Sequence, residues 1–292
     1  MTDDAIIPTV ALDARAELGE GPVWDAGANR LIWVDILGRT VHTFDPKTGV
    51  DNSVYVPELP GIAIPRQSGG LVLASGHGFG FLDEFGVYEE VVELPQGPIT
   101  ARMNDGSCDS VGRLWAGSTG LNGEPQAGAL YRLDPDLTVT RVMTVGESNG
   151  IDWSPDDKLM YYVDSLARRV DVFDFDVDSG SISNRHPFVA VDDGAVLPDG
   201  LTVDSEGCVW VACWGGAAVR RFLPDGSLAG AITLPTPNIT CPGFGGPALD
   251  RMFITSARKG LSEEELRSDR DAGGLFVCMP GVTGRPNRTF AG

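Results

Sequence analysis

Histidine, basic residues, helical periodicity and long apolar runs are all in short supply. Three histidines, His42, His77 and His186, are scattered over 292 residues, too few and too dispersed for a histidine-rich zinc site. Lysine and arginine number 22 against 41 aspartates and glutamates, a formal net charge of −19. Such a chain is repelled by phosphate backbones and anionic headgroups, which excludes nucleic acid and membrane surfaces as partners. The acidity fits a well-solvated surface first and tolerance of high salt second, and an acidic channel mouth that attracts a divalent cation is compatible with either. The five cysteines are odd in number and include no C-x-x-C pair, so no disulfide framework is expected. No segment has the apolar length to span a bilayer, and the acidic opening "MTDDAIIPTV" lacks the features of a signal peptide. A reducing cytoplasm is the expected location, and the "NIT" and "NRT" sequons are incidental.

What the chain does have is turns and short strands. Gly 38 and Pro 20 punctuate tracts such as "RLIWVDI", "GRLWAGS", "LMYYVDS" and "CVWVACW", which alternate or are β-branched. One unit recurs: a polar-glycine step, a short apolar strand, an acidic or serine turn, then a strand rich in Trp, Tyr and Val. It appears as "GEGPVWDAGANRLIWVD", "MNDGSCDSVGRLWAGS", "SNGIDWSPDDKLMYYVD" and "PDGLTVDSEGCVWVAC", with degenerate copies at "GIAIPRQSGGLVLAS" and "CPGFGGPALDRMFITS". From Asn104 to Asn149 is 45 residues and from Asn149 to Asp199 is 50, while Glu20 to Asn104 spans 84, about two units. Repeats of this length made of short strands are propeller blades. Six copies predict an all-β, six-bladed β-propeller with four-stranded antiparallel blades, one domain over residues 1–292. "ALDARAELG" is the candidate for the strand that closes the ring, and "LSEEELRSDRD" for an inserted helix with Ser262 and Glu265 in capping-box spacing.

In a propeller, equivalent residues ahead of each innermost strand project toward one point on the axis. Glu20, the Asn104–Asp105 pair, Asn149 and Asp199 hold that phase, each one or two places before a glycine that lets the backbone turn sharply. One such step is an ordinary turn signal. Four in phase, all carboxylates and carboxamides, predict a site for a hard divalent cation. The string G-E-S-N-G around Ser148 fits the nucleophile-elbow pattern, but no helix follows it and no histidine partner is placed, so Asn149 is the functional residue there. "GHGFG" at 76–80 opens no helix and is a turn. The tryptophans belong to packing between blades, except that Trp214 in "CWGG" is the candidate for lining a pocket.

With "LGEGPVWD", "RMNDGSCDSVGRLWAGS", "GALYRLDP", "SNGIDWSPDDKLMYYVDS", "LPDGLTVDSEGCVWVACWGG" and "TSARKGLSEEEL" in order along nearly the whole chain, the sequence resembles the SMP-30/gluconolactonase/luciferin-regenerating-enzyme family. The resemblance implies a propeller with one divalent metal in its channel and, usually, hydrolysis of a sugar lactone. It implies Glu20, Asn149 and Asp199 as metal ligands, and Arg102 and Asn104 as substrate contacts. Animal members contribute a further contact from an acidic segment after the motif matched by "WAGS". Here that stretch reads "TGLNGEPQAG", and Glu124 has no clear equivalence, so substrate preference does not carry over. "ARKGLSEEEL" and "WGG" look more like bacterial aldonolactonases acting on pentose or hexose lactones.

The expected function is therefore metal-dependent opening of an aldono-lactone, pentono- or glucono-, to the aldonic acid. Asp199 is the expected general base, and Ca²⁺, Mn²⁺, Mg²⁺, Fe²⁺ or Zn²⁺ all suit the donors. The partner is a small sugar lactone, and a monomer is slightly favoured over an oligomer. The alternatives are a phosphotriester hydrolase on the same fold and a non-catalytic calcium-binding propeller.

Overall fold

The computed structural model describes residues 6–95, 100–191 and 193–292. Its strands form six four-stranded antiparallel sheets, one per repeat, arranged as a six-bladed β-propeller. Blade 1 comprises Gly19–Asp25, Arg30–Asp35, Thr40–Asp45 and Val50–Tyr55, and the inner strands of blades 2 to 5 are Pro60–Pro65, Ala101–Cys108, Ser148–Trp153 and Leu197–Val203. Blade 6 joins Ile239–Gly245, Arg251–Ser256 and Leu275–Cys278 to the N-terminal strand Thr9–Leu12, with Val10 opposite Phe276. The ring is thus closed by pairing the first strand with the last. Of the expected closing segment only Ala11 and Leu12 lie in that strand, because the chain must then turn inward to start blade 1. The helix Glu263–Ser268 is inserted in blade 6 and carries the expected capping box between Ser262 and Glu265. No helix among the described residues is long and apolar enough to cross a membrane.

Alternation along each strand buries one face against each neighbouring blade, and one apolar cluster fills each of the six blade interfaces. Trp115 of blade 3 meets Trp153 of blade 4 edge-on at 6.3 Å, and Trp24 of blade 1 stacks on Phe253 of blade 6 at 6.2 Å. Burying a large apolar side chain in this way contributes about 1.5–3 kcal/mol. The expected packing role of these tryptophans follows.

Two features position the channel. First, the inner strand of every blade carries a bulge at the same place, beginning at Glu20, Pro60, Met103, Ser148, Pro198 and Ile239. A bulge leaves residues out of the ladder and re-aims their side chains, here around the axis. Second, the C-terminal segment straps the other end. Gly284 N donates to Leu249 O of blade 6 at 2.7 Å, and Arg285 reaches Asp152 of blade 4 at 2.8 Å and Val203 O of blade 5 at 3.3 Å. Asn287 reaches Trp24 O of blade 1 at 3.3 Å, Phe290 N donates to Pro65 O of blade 2 at 3.0 Å, and Ala291 N to Gly112 O of blade 3 at 3.0 Å. The eight residues 284–291 thus reach all six blades.

Candidate metal and substrate site

At the start of the inner strands the bulges bring Glu20, Asn104, Asn149 and Asp199 together with Arg102 in the wall of one cavity of about 270 Å³. All five are at most 6% exposed. Asp105, the partner of Asn104 in the sequence reading, faces the other way. It lines a separate chamber of about 80 Å³ toward the C-terminal strap, with Asp152, Arg285 and Arg288. Adjacent strand residues point to opposite sides, so the pair divides between the two spaces.

The glycines also differ from expectation. Gly21 has φ +54, a turn conformation, but neither Gly150 nor Gly200 has a positive φ. Their role is close approach: an added Cβ on Gly150 would collide with backbone of the blade 5 inner strand, and one on Gly200 with Cys241 of blade 6.

Hydrogen bonds hold the amides in defined orientations. Arg102 donates to Asn104 Oδ1 at 2.7 Å and to Met103 O at 2.9 Å, while Asn104 Nδ2 donates to Ser148 O at 2.7 Å and to Asn149 Oδ1 at 3.3 Å. Asn149 Nδ2 donates to Ser165 Oγ at 3.0 Å, which donates to Pro198 O at 2.7 Å. The Asn149 amide is thereby fixed in orientation, its oxygen accepting only the long bond from Asn104. The carboxylates are poorly satisfied by comparison. Glu20 accepts a 3.3 Å bond from Gly21 N, and buried Asp199 Oδ1 has no partner.

Burial pushes the Glu20 carboxyl well above its ordinary range, the Asp105 charge pushes it further, and Gly21 N–H, Arg102 and Lys259 pull back. Asp199 is raised by burial and then by Glu20, Glu147 and Asp105, with Lys259 opposing. Burial lowers the Arg102 guanidinium against the pull of Glu147, Glu20 and Asp199. Two desolvated, mutually repelling carboxylates, one with a bare oxygen, beside an oriented amide oxygen form a donor set that suits a hard divalent cation. The residues present fit such an ion.

A second acidic group, Asp204, Glu206 and Cys208, has its ligand atoms within 4.8 Å of one another. Asp204 is already committed there. It accepts from Trp210 Nε1 at 2.9 Å, Arg221 Nη2 at 2.7 Å and Cys208 N at 2.9 Å. The same turn recurs in blade 3, where Asp109 takes Trp115 Nε1 at 3.0 Å and Arg113 Nε at 2.6 Å. These carboxylates hold turns to tryptophans.

The decoys fall outside the cavity. Ser148 packs its hydroxyl against Gly117. His42 pairs with Asp51 at 2.6 Å, and His77 and His186 bond backbone carbonyls. Glu124 is taken up by Asn122 N at 3.1 Å and Asn122 Nδ2 at 2.9 Å, whereas Trp214 does line the cavity. Sequence reasoning missed Glu147, Ser165 and Lys259 in the wall. It also missed the anchoring of the inner strands: Asp35 accepts from Leu18 N at 3.0 Å and Asp164 from Gly146 N at 3.0 Å. The signal was present in the matching ends of "RLIWVD" and "LMYYVD".

Residues 18–258 match the model of the SMP-30/gluconolactonase/LRE-like region. The chain belongs to this family. Regucalcin of Danio rerio is 39% identical over 287 residues, covering 95% of this chain and 96% of the relative. Pentonolactonase XacC of Haloferax volcanii is 36% identical over 284 residues, covering 95% and 96%. A crystal structure described as a calcium-binding protein, regucalcin, from Agrobacterium tumefaciens superposes with TM-score 0.92 at 28% identity, covering 98% of each chain.

Proposed function

We propose that this family member is a metal-dependent lactonase that opens a sugar lactone to its aldonic acid. Glu20, Asn149 and Asp199 hold one divalent cation, and Arg102 and Asn104 hold the substrate. The observation that carries this reading is the unpartnered, buried Asp199 Oδ1 beside Glu20 in a cavity whose adjoining wall presents the hydrogen-bonded Arg102–Asn104 pair. The names of the relatives, a pentonolactonase and one regucalcin described as a calcium-binding protein, support the same class.

A bound divalent cation supplies Lewis acidity toward the lactone carbonyl. Asp199 takes a proton from the attacking water as its oxygen bonds to the carbonyl carbon. The ring C–O bond then breaks, and the alkoxide released accepts the proton held on Asp199, which becomes a hydroxyl hydrogen and leaves the carboxylate ready for the next turnover. Arg102 and Asn104 orient the ester for this attack, converting positional freedom into rate. Ionisation of the acid product at neutral pH makes the opening effectively irreversible.

The test is acid release, read with a pH indicator, from glucono-, xylono-, arabino- and galactonolactone on metal-stripped protein. Ca²⁺, Mn²⁺, Mg²⁺, Fe²⁺ and Zn²⁺ are restored one at a time. Activity lost on chelation and regained with a cation is expected. Turnover of a phosphotriester alone would move the protein to the phosphotriesterases. Tight cation binding with no turnover would make it a scaffold.

A further inference from the structure

Glu147 is an acidic group in the cavity wall that the proposed cation and its three ligands leave without a role. We infer that Glu147 is the acceptor that reads the hydroxyl groups of the substrate, so that the site selects polyhydroxylated lactones over unsubstituted ones. The inference rests on the lactonase reading above.

Glu147 enters from the connection between blades 3 and 4, two residues before Asn149, and its stem is fixed. Its N–H donates to Asp164 Oδ1 at 3.2 Å, its carbonyl accepts from Ser165 N at 3.0 Å, and it bridges to Thr119 at the end of the neighbouring blade's second strand. The side chain is half-buried and lines the cavity. Among the described residues its carboxylate has neither a hydrogen-bond donor nor an ion-pair partner. A charge held on a fixed stem, partly desolvated and left unpaired costs stability unless something else pairs it.

Its neighbours indicate what that is. Glu147 lines the same cavity as Arg102 and Asp199, and its charge acts on both. Arg102 only donates, and an ionised carboxylate only accepts. Side by side they complement a pair of sugar hydroxyls, each of which both donates and accepts. Lys259 and Trp214 line the same cavity but offer no second free acceptor. A lactone ring bare of hydroxyls would leave Glu147 desolvated and unpaired, the situation in which a polar site rejects an analogue most strongly. Glu124, the acid after "WAGS", cannot serve, since Asn122 occupies it.

The experiment compares kcat/KM for D-gluconolactone with that for δ-valerolactone in cation-loaded, full-length wild type, Glu147→Gln and Glu147→Ala. Folding is checked by circular dichroism, and cation Kd by titration of stripped protein. The gluconolactone-to-valerolactone ratio should fall about tenfold or more in Glu147→Ala, with Glu147→Gln between, because it keeps one acceptor oxygen. Two results would overturn the inference: an unchanged ratio, whether both substrates hold or fall in step, or loss of cation binding, which would make Glu147 a ligand. If wild type opens no lactone at all, the lactonase reading falls, and this inference with it. Turnover with an unmoved ratio sinks this inference alone.

Discussion

Gly150 follows Asn149 in the bulge of blade 4, and its replacement by alanine tests whether blade spacing sets the site. A Cβ built there lies 2.9 Å from the carbonyl carbon of Gly200 and closer still to Leu201 N, where ordinary contact begins near 3.4 Å. Both obstacles are backbone of the neighbouring inner strand, which cannot rotate aside as a side-chain tip can. The two strands must part by about 1 Å. Asn149 and Asp199 immediately precede Gly150 and Gly200, so the separation falls directly between two proposed ligands. Overpacking of this kind costs about 1–3 kcal/mol, and a misplacement of about 1 Å can cost roughly 100-fold in rate. Urea unfolding gives the first quantity, and kcat/KM with cation titration the second. Gly230→Ala is the matched comparison. It makes the same chemical change on the outer strand of blade 5, where an added Cβ meets nothing within 4 Å, and stability should move by no more than about 0.5 kcal/mol. If Gly150→Ala keeps wild-type stability and activity within twofold, inner-strand approach does not set the site and the reasoning fails.

Glu20→Ala and Asp199→Ala should abolish cation-dependent lactone opening while the β-rich circular dichroism spectrum survives, and full activity in either removes that residue from the ligand set. Arg102→Ala should act mainly on substrate recognition, and an unchanged kcat/KM takes it out of the site. Phe290→Ala should destabilise by about 3–5 kcal/mol, since the ring is fully buried in the cluster between blades 2 and 3 and anchors the strap; a loss below about 1 kcal/mol in urea would show that the strap is not held there. Burial pushes Asp105 up to about 6, so in metal-free protein the folded state holds this proton more tightly than the unfolded state does. Its contribution to stability is favourable at low pH and declines as pH rises from about 4 through about 6. The stability difference between wild type and Asp105→Asn, followed by thermal unfolding with EDTA, should change in that window, and a flat difference would contradict it.

The blades were legible because each repeats the same local chemistry. "DSVGRLW" and "DSEGCVW" both place a carboxylate six residues before a tryptophan whose indole it receives, at 3.0 Å for Asp109 and 2.9 Å for Asp204. Rotational equivalence then converts separations of 45 and 50 residues into contact, which is why Asn104, Asn149 and Asp199 could be grouped before any coordinates. The same reasoning could not tell Asn104 from Asp105, since phase along the repeat does not say which side of a bulge a side chain takes. Nor could it reach Glu147 and Lys259, which come from connections between strands, where the blades differ and no period exists to detect. The strap shows the same limit. "GRPNRTFAG" is aperiodic, and Arg285 and Phe290 have meaning only once six blades surround them. Periodicity reports what the blades share, namely the ring and its oxygen-rich axis. Residues that distinguish one lactone from another must break the symmetry of that axis, because a sugar is not symmetric, so the selectivity of such a site lies in the part of the sequence where repeat analysis has least to say.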